Sequence, residues 1–413
     1  MIALDEAKRF VLESLATPSP EMLSLDEVLG CVAGAEVLAR ELVPGFSNSS
    51  MDGFALRSLD TTSGSATLRI VGAVYAGDGN SPHVGSGEAT RIMTGAPLPE
   101  GTDCVCMKEE ATLDPSGETV RIGRTFSAGE FVRFPGDDVK IGQVLVVAGD
   151  ELSPAKLGVL AGQGIASLWA YRRLRVGVLS TGNELARSLG PLDAGQIRDV
   201  NRPLLLALVR ESGCVPVDLG IVHDDYASIK QRLSDGVDDC DVVVSTGGVS
   251  VGDLDHVKTV IGELGSESAR SMQVAIKPGK PFAFGVVGAR RVPVFGLPGN
   301  PVSTRVSFEL FVRPSLRRLA GHRVLERPTM NMVLDSALPR KKDGKLHLVH
   351  VVARVHDDGL VHAERAIRHG SHLLSAVAEA NALAIVPEGD GLAAGDVVRA
   401  LILNADQLSA SST

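Results

Sequence analysis

The spacing of apolar residues changes character several times along this 413-residue chain, and each change predicts a different kind of element. Ile2, Ala3, Ala7, Phe10, Val11 and Leu15 fall near one helical face, and Pro18 and Pro20 end that pattern. Ser24 and Glu27 then have capping-box spacing, which predicts a second helix. From Gly34 to the VLVV at 144–147, short Val, Ile and Thr runs alternate with Gly, Pro and Asp clusters, the pattern of a small all-β module. Ser153 and Pro154, in N-cap and N1 positions before LGVLAG, restart a helix. The expected organisation is a discontinuous helical linker domain at 1–43 and 143–172 that carries an inserted β domain at 44–142.

Between residues 173 and 322 the order becomes strand, loop, helix, repeated. Strands are expected at 174–180, 216–222, 241–245 and 292–297, with helices after Asn201, from Tyr226, from Val257 and after Pro301. Continuous apolar strands alternating with helices imply a parallel sheet covered on both faces, an α/β sandwich. From 323 to 413 short strands return with DG, GDG and AGD turns, so a separate small β domain is expected there.

A hydrophobic fraction of 44% suffices for several cores, and 45 glycines against 4% aromatics point to tight loops. The net charge of −9 argues against a nucleic-acid partner, which would need a basic face. MIALDEAKRF carries acids and no apolar run, so no secretory signal is expected. No stretch approaches the ~18 apolar residues of a membrane helix, so the expected location is cytoplasmic. Five scattered cysteines suit reduced thiols, with Cys104 and Cys106 read as small core residues. The six histidines from His347 to His372 match no zinc spacing and are expected to be solvated or packed, not metal ligands.

In an open parallel sheet, ligands collect beyond the carboxyl ends of the strands. That rule selects Ser180, Thr181 and Gly182; His223, Asp224 and Asp225; the run from Ser245 through Gly247, Gly248, Ser250 and Gly252 to Asp255; and Pro298, Gly299, Asn300 and Pro301. Hydroxyls and bare backbone amides there suit an anion, yet neither G-x-G-x-x-G nor a P-loop is present, so dinucleotide and P-loop nucleotide binding are unsupported. Glu184, Asp224, Asp225, Asp253 and Asp255 in the same loops suit a hard cation such as Mg²⁺, although any one of them could simply cap a helix. Lys277 and Lys280 in AIKPGKPF would anchor an oxyanion, or would merely be solvated. Asp52 in an M-D-G turn and Thr94 before Gly95 lie in polar loops of the inserted module, and pattern alone does not tie them to the sheet.

NSSMDGFALR, RIMTGAPLPEGTDCV, STGNEL, GQIRDVNRP, STGGVSVGDLDHVK, AIKPGKPFAFG and GLPGNPVS, in that order, resemble the MoeA/gephyrin E-domain family of molybdenum cofactor biosynthesis. The resemblance implies a MogA-like molybdopterin-binding α/β domain and a small C-terminal β-barrel. It also implies a molybdenumtransferase that takes adenylylated molybdopterin and molybdate, hydrolyses the adenylate with Mg²⁺, and releases AMP. An elongated homodimer is implied, in which the inserted domain of one subunit faces the α/β domain of the other. Partners would be an upstream adenylyltransferase and downstream cofactor-accepting proteins.

Carried over by position, Asp52, Thr94, Asp138, Glu184, Asp224 and Asp255 become the catalytic set, with Glu184, Asp224 and Asp255 on the metal. Gly247, Gly248, Ser250 and Gly252 would face phosphate, Lys277 and Lys280 would be the basic anchor, and Pro298 and Pro301 would frame LPGNP. The chain departs from the family at Val132-Arg133-Phe134-Pro135, at Asn183 and at His256. A pterin-binding scaffold and an adenylyltransferase acting one step earlier are the alternatives; the acids argue against the first and the additional terminal domains against the second.

Overall fold

The computed structural model describes residues 1–188, 190–249, 256–265, 269–366 and 374–408. The chain divides into two compact units, one of Met1–Ala35, Ala148–Ser153 and Ser167–Thr413, the other of Glu36–Val147 and Pro154–Ala166.

The first unit is built on a six-stranded sheet in the order Val215–Val222, Arg175–Thr181, Val242–Thr246, Val292–Leu297, Pro281–Val287, Arg270–Gln273. The first four strands are parallel. The last two, which the strand pattern does not announce, pair antiparallel at the edge, Pro281–Val287 on Val292–Leu297 and Arg270–Gln273 on Pro281–Val287. Alternation along each strand sends side chains to two cores. Val176, Val178, Val242 and Val244 pack with Leu205, Leu208 and Val209 of helix Asn201–Glu211. Leu179, Val243, Val292 and Val294 pack on the other face with Ile229 and Leu233 of Tyr226–Asp239 and with Val257 and Val260 of His256–Leu264. Because the second strand lies outside the first and the third lies inside it, the connections diverge between Arg175–Thr181 and Val242–Thr246, which opens a crevice at their carboxyl ends.

The opening helix, Leu4–Ser14, buries Ala7 and Val11 in the first of these cores. The second helix expected near Ser24 is absent. The Glu27 carboxylate does accept from the Ser24 N–H at 3.2 Å and its hydroxyl at 2.7 Å, but the box closes a turn after strand Glu21–Ser24. Gly30, at φ +74°, turns the chain away before a helix can propagate. Glu21–Ser24, Ser167–Tyr171 and Val32–Ala33 instead form a three-stranded sheet.

Residues beyond Thr329 form a closed barrel: Leu346–Val355, Val361–Arg365, Thr329–Leu334, Val397–Ile402 and Ala382–Val386, with the last strand pairing back onto the first. Its interior is rich in alanine (Ala353, Ala363, Ala382, Ala384, Ala400), as a narrow barrel requires.

The second unit holds a six-stranded sheet in the order Cys104–Met107, Gly53–Leu56, Glu88–Ile92, Ala66–Val74, Thr119–Ile122, Ala111–Leu113. Cys104 and Cys106 are fully buried in its core, and burial pushes the Cys106 thiol up to about 11, so both are packing groups. Helix Pro154–Gly162 starts where Ser153 and Pro154 predict. Among the described residues no helix is long and apolar enough to cross a membrane.

Candidate functional site

The crevice at the strand ends is a cavity of about 460 Å³. Ser180, Thr181, Gly182 and Glu184 line it from the first parallel strand, and Asp224 from the second. The third supplies Thr246, Gly247, Gly248 and Val249, and the fourth Pro298, Gly299, Asn300, Pro301 and Ser303. All four loops selected by the strand-end rule therefore meet.

Asn201, the first residue of its helix, ties these loops together. Its Nδ2 donates to Thr246 Oγ1 at 3.0 Å and to the Gly299 carbonyl at 2.6 Å. Thr246 Oγ1 in turn donates to the Pro298 carbonyl at 2.9 Å, and Thr304 Oγ1 reaches the same carbonyl at 2.6 Å, so the LPGN turn is pinned from three sides. Ser180 Oγ donates to Asp199 Oδ1 at 3.1 Å, and Asp199 also accepts from Arg202 Nε at 3.0 Å. Gly247 has φ +95°, and a Cβ there would lie 2.5 Å from the Thr181 carbonyl oxygen, so only glycine lets the two loops close.

Three oxygens in this wall are buried without a hydrogen-bond partner among the described residues: Thr181 Oγ1, Asn201 Oδ1 and Asn300 Oδ1. Thr181 is 5% and Asn201 8% exposed. Such groups cost free energy unless something fills the space before them. The cavity therefore has the form of a receptor for a polar molecule.

Two carboxylates, Glu184 and Asp224, are on the wall. With no cysteine or histidine on the described wall, this all-oxygen donor set fits a hard divalent cation. Asp225 has the simpler role weighed for these acids: it N-caps Tyr226–Asp239, accepting from the Ser228 N–H at 2.9 Å, and this bond holds its carboxyl below the usual range. Asn183 Oδ1 accepts from the Asp224 N–H at 3.1 Å, joining the first two loops.

Other expected residues lie elsewhere. Ser245 is fully buried inside its strand and donates to the Phe295 carbonyl at 3.3 Å, so it is a sheet tie. Lys277 and Lys280 are not on the described wall. Lys277 belongs to the short strand Ile276–Lys277, which pairs with Leu346 and His347 of the barrel, and Pro281 is the member of that loop that reaches the cavity. The basic side chain on the described wall is Arg198, which donates to the Ser188 carbonyl at 2.6 Å. Ser250, Gly252, Asp253 and Asp255 lie outside the described residues.

Asp52, Thr94 and Asp138 belong to the second unit. Asp52 Oδ1 accepts from both the backbone N–H and the hydroxyl of Thr94, each at 2.8 Å, and these bonds hold its carboxyl below the usual range. Asp138 is exposed, with its N–H donating to the Val43 carbonyl at 2.9 Å.

Asn201, Thr246, Asp199, Arg198 and Thr304 were not singled out from sequence. The first four lie inside the strings GQIRDVNRP and STGG that carry the family resemblance; their roles depend on partners brought from distant loops.

Three family profiles match the chain: the MoeA N-terminal region (domain I and II) at residues 2–164, a probable molybdopterin binding domain at 177–318, and the MoeA C-terminal region (domain IV) at 333–403. The molybdopterin molybdenumtransferase of Haemophilus influenzae is 36% identical over 400 residues, covering 96% of this chain and 98% of that protein. The molybdopterin molybdenumtransferase of Bacillus subtilis is 31% identical, covering 97% and 94%. A crystal structure of the molybdopterin biosynthesis MoeA protein from Pyrococcus horikosii superposes with a TM-score of 0.81 at 29% identity, over 98% of this chain and 100% of that one.

Proposed function

The chain belongs to the MoeA family of molybdopterin molybdenumtransferases, and from that premise we propose that the strand-end cavity receives adenylylated molybdopterin and molybdate and that molybdenum insertion releases AMP there. The protein is a transferase of molybdenum cofactor biosynthesis. The observation that carries the assignment to this cavity is its set of buried, unpartnered oxygens, Thr181 Oγ1, Asn201 Oδ1 and Asn300 Oδ1, beside the Glu184 and Asp224 carboxylates.

Each group has a physical task in this reading. Glu184 and Asp224 would hold Mg²⁺, joined by Asp255. Bound there, the ion would draw charge from the phosphoanhydride and make the adenylate a better leaving group. Thr181, Asn201 and Asn300 orient the substrate's polar edge. Asn201 and Thr304 hold the LPGN turn rigid, so little ordering remains to be done when substrate arrives. Asp52, kept ionised by Thr94, orients the attacking oxygen. Lys277 and Lys280 remain proposed as oxyanion anchors, and Asp138 as a further acid. The same reading makes the protein cytoplasmic and homodimeric.

The test is incubation of the purified protein with molybdopterin adenylate, Mg²⁺ and molybdate. Expected products are AMP and a cofactor that activates a molybdenum-free apo-enzyme. Absence of both overturns the proposal.

A further inference from the structure

On the C-terminal barrel, far in sequence from every strand-end loop, a second cluster of chemistry-bearing side chains is assembled. Strand Thr329–Leu334 runs parallel to Val361–Arg365, with Val333 paired to His362, so Asp335 emerges beside His362. Leu346–Val355 and Val361–Arg365 form a hairpin whose turn is closed by the His356 N–H on the Leu360 carbonyl at 2.9 Å. That turn lays the His356 ring on the His362 ring, with centroids 4.0 Å apart and planes at 15°. Asp335 Oδ1 is 2.6 Å from His362 Nδ1, and Asp335 Oδ2 is 4.0 Å from His356 Nε2.

We propose that Asp335, His356 and His362 form a binding site for a divalent transition-metal ion of the zinc class. One ligand atom from each residue lies within 4.8 Å of the other two. Tetrahedral zinc, with bonds of about 2.0–2.2 Å, needs donors roughly 3.3 Å apart and itself lies in the plane of each ligating ring, so seating the ion requires the His356 ring to rotate out of its near-parallel stack on His362. Two imidazoles and one carboxylate select zinc, cobalt or nickel over magnesium. The outer shell is also in place: Asp358 Oδ2 lies 3.0 Å from His362 Nε2, so a carboxylate accepts the ring's second N–H and leaves Nδ1 for the metal. All three ligands are on or next to paired strands, and solvent supplies the fourth position. Histidine spacing alone argued against a metal here because the third ligand, Asp335, comes from another strand.

The experiment uses the full chain, stripped by chelator and titrated with Zn²⁺ by calorimetry, with bound metal counted by mass spectrometry. One Zn²⁺ per chain is expected at this site. His356→Ala and Asp335→Asn each delete a direct ligand, leaving too few protein donors for a zinc site, and should each abolish the stoichiometric binding. Asp358→Asn should weaken it roughly 10- to 100-fold while leaving the stoichiometry at one. His356 and Asp335 sit at strand ends, so both variants test the site without cutting a barrel strand. No stoichiometric zinc, or binding of unchanged affinity in both variants, overturns the proposal; the cluster is then a hydrogen-bonded histidine–carboxylate pair that takes up protons only.

Discussion

The hydroxyl and the backbone N–H of Thr94 converge on a single oxygen of Asp52, each at 2.8 Å. Both bonds favour the ionised carboxylate and lower its pKa. Thr94→Val deletes one donor, so the Asp52 pKa rises towards its ordinary value. If ionised Asp52 is needed for turnover, the acid limb of the kcat/KM profile should move to higher pH in Thr94→Val and stay in place in Thr94→Ser. Asp52→Ala should lower AMP release by roughly 100-fold, the scale of a lost acid–base or orienting group, with thermal unfolding unchanged. Unchanged turnover in Asp52→Ala would remove it from the site.

Asn201 offers a different test, because its amide bridges two loops while its Oδ1 is unpartnered. Asn201→Ala strands the Gly299 carbonyl and should cost about 1–3 kcal/mol in urea unfolding. Substrate binding should suffer as well, with KM up by about tenfold, the worth of a hydrogen bond of roughly 1.4 kcal/mol. A variant that loses stability but keeps its KM would make Asn201 a scaffold residue only.

Much of this arrangement is legible in the sequence. Short β-branched runs such as Val242–Val244 favour strands buried on both faces, and the strand-end rule then selects the loops that meet in the cavity. What periodicity could not reveal was pairing between distant positions. Asn201 to Gly299 and Ser180 to Asp199 are side-chain bonds across loops, with no local signature. Arg270–Gln273 and Pro281–Val287 escaped because their segment reads as a proline-glycine turn flanked by short apolar runs. The Ser24–Glu27 box shows the opposite failure: its local hydrogen bonds form as expected, and Gly30 decides that no helix follows.

Gly247 tests the closeness of the first and third loops. Its φ of +95° and a prospective Cβ only 2.7 Å from Thr181 Oγ1 make Gly247→Ala strained twice over. A cost of about 1–3 kcal/mol is expected, with Thr181 displaced and activity reduced. Gly299→Ala is the control in the same wall. There the nearest atom to a new Cβ is the Gly247 Cα at 3.7 Å, an ordinary contact, so stability should change little. Equal losses in the two variants, read from urea midpoints, would show that the loop approach is not the constraint.

His350 is 7% exposed in strand Leu346–Val355, and its Nε2 has no hydrogen-bond partner among the described residues. Burial, reinforced by the positive charge of Arg305, pushes its pKa down to about 4. In the unfolded chain an imidazole titrates near 6.5, so between about pH 6.5 and 4 the unfolded state binds a proton that the folded state refuses. Stability contributed by neutral His350 is therefore complete above that window and falls as the pH drops through it. The limiting slope is about 1.4 kcal/mol per pH unit, which amounts to about 3 kcal/mol by pH 4. His350→Gln abolishes the titration while keeping a polar side chain. Urea unfolding at pH 7, 6, 5 and 4.5 should give a shallower decline for that variant than for the parent protein. His322, pushed down to about 4 by its own burial, adds a parallel loss in both proteins, so the difference between the two curves isolates His350. Superimposable curves would mean that position 350 takes up its proton as readily folded as unfolded.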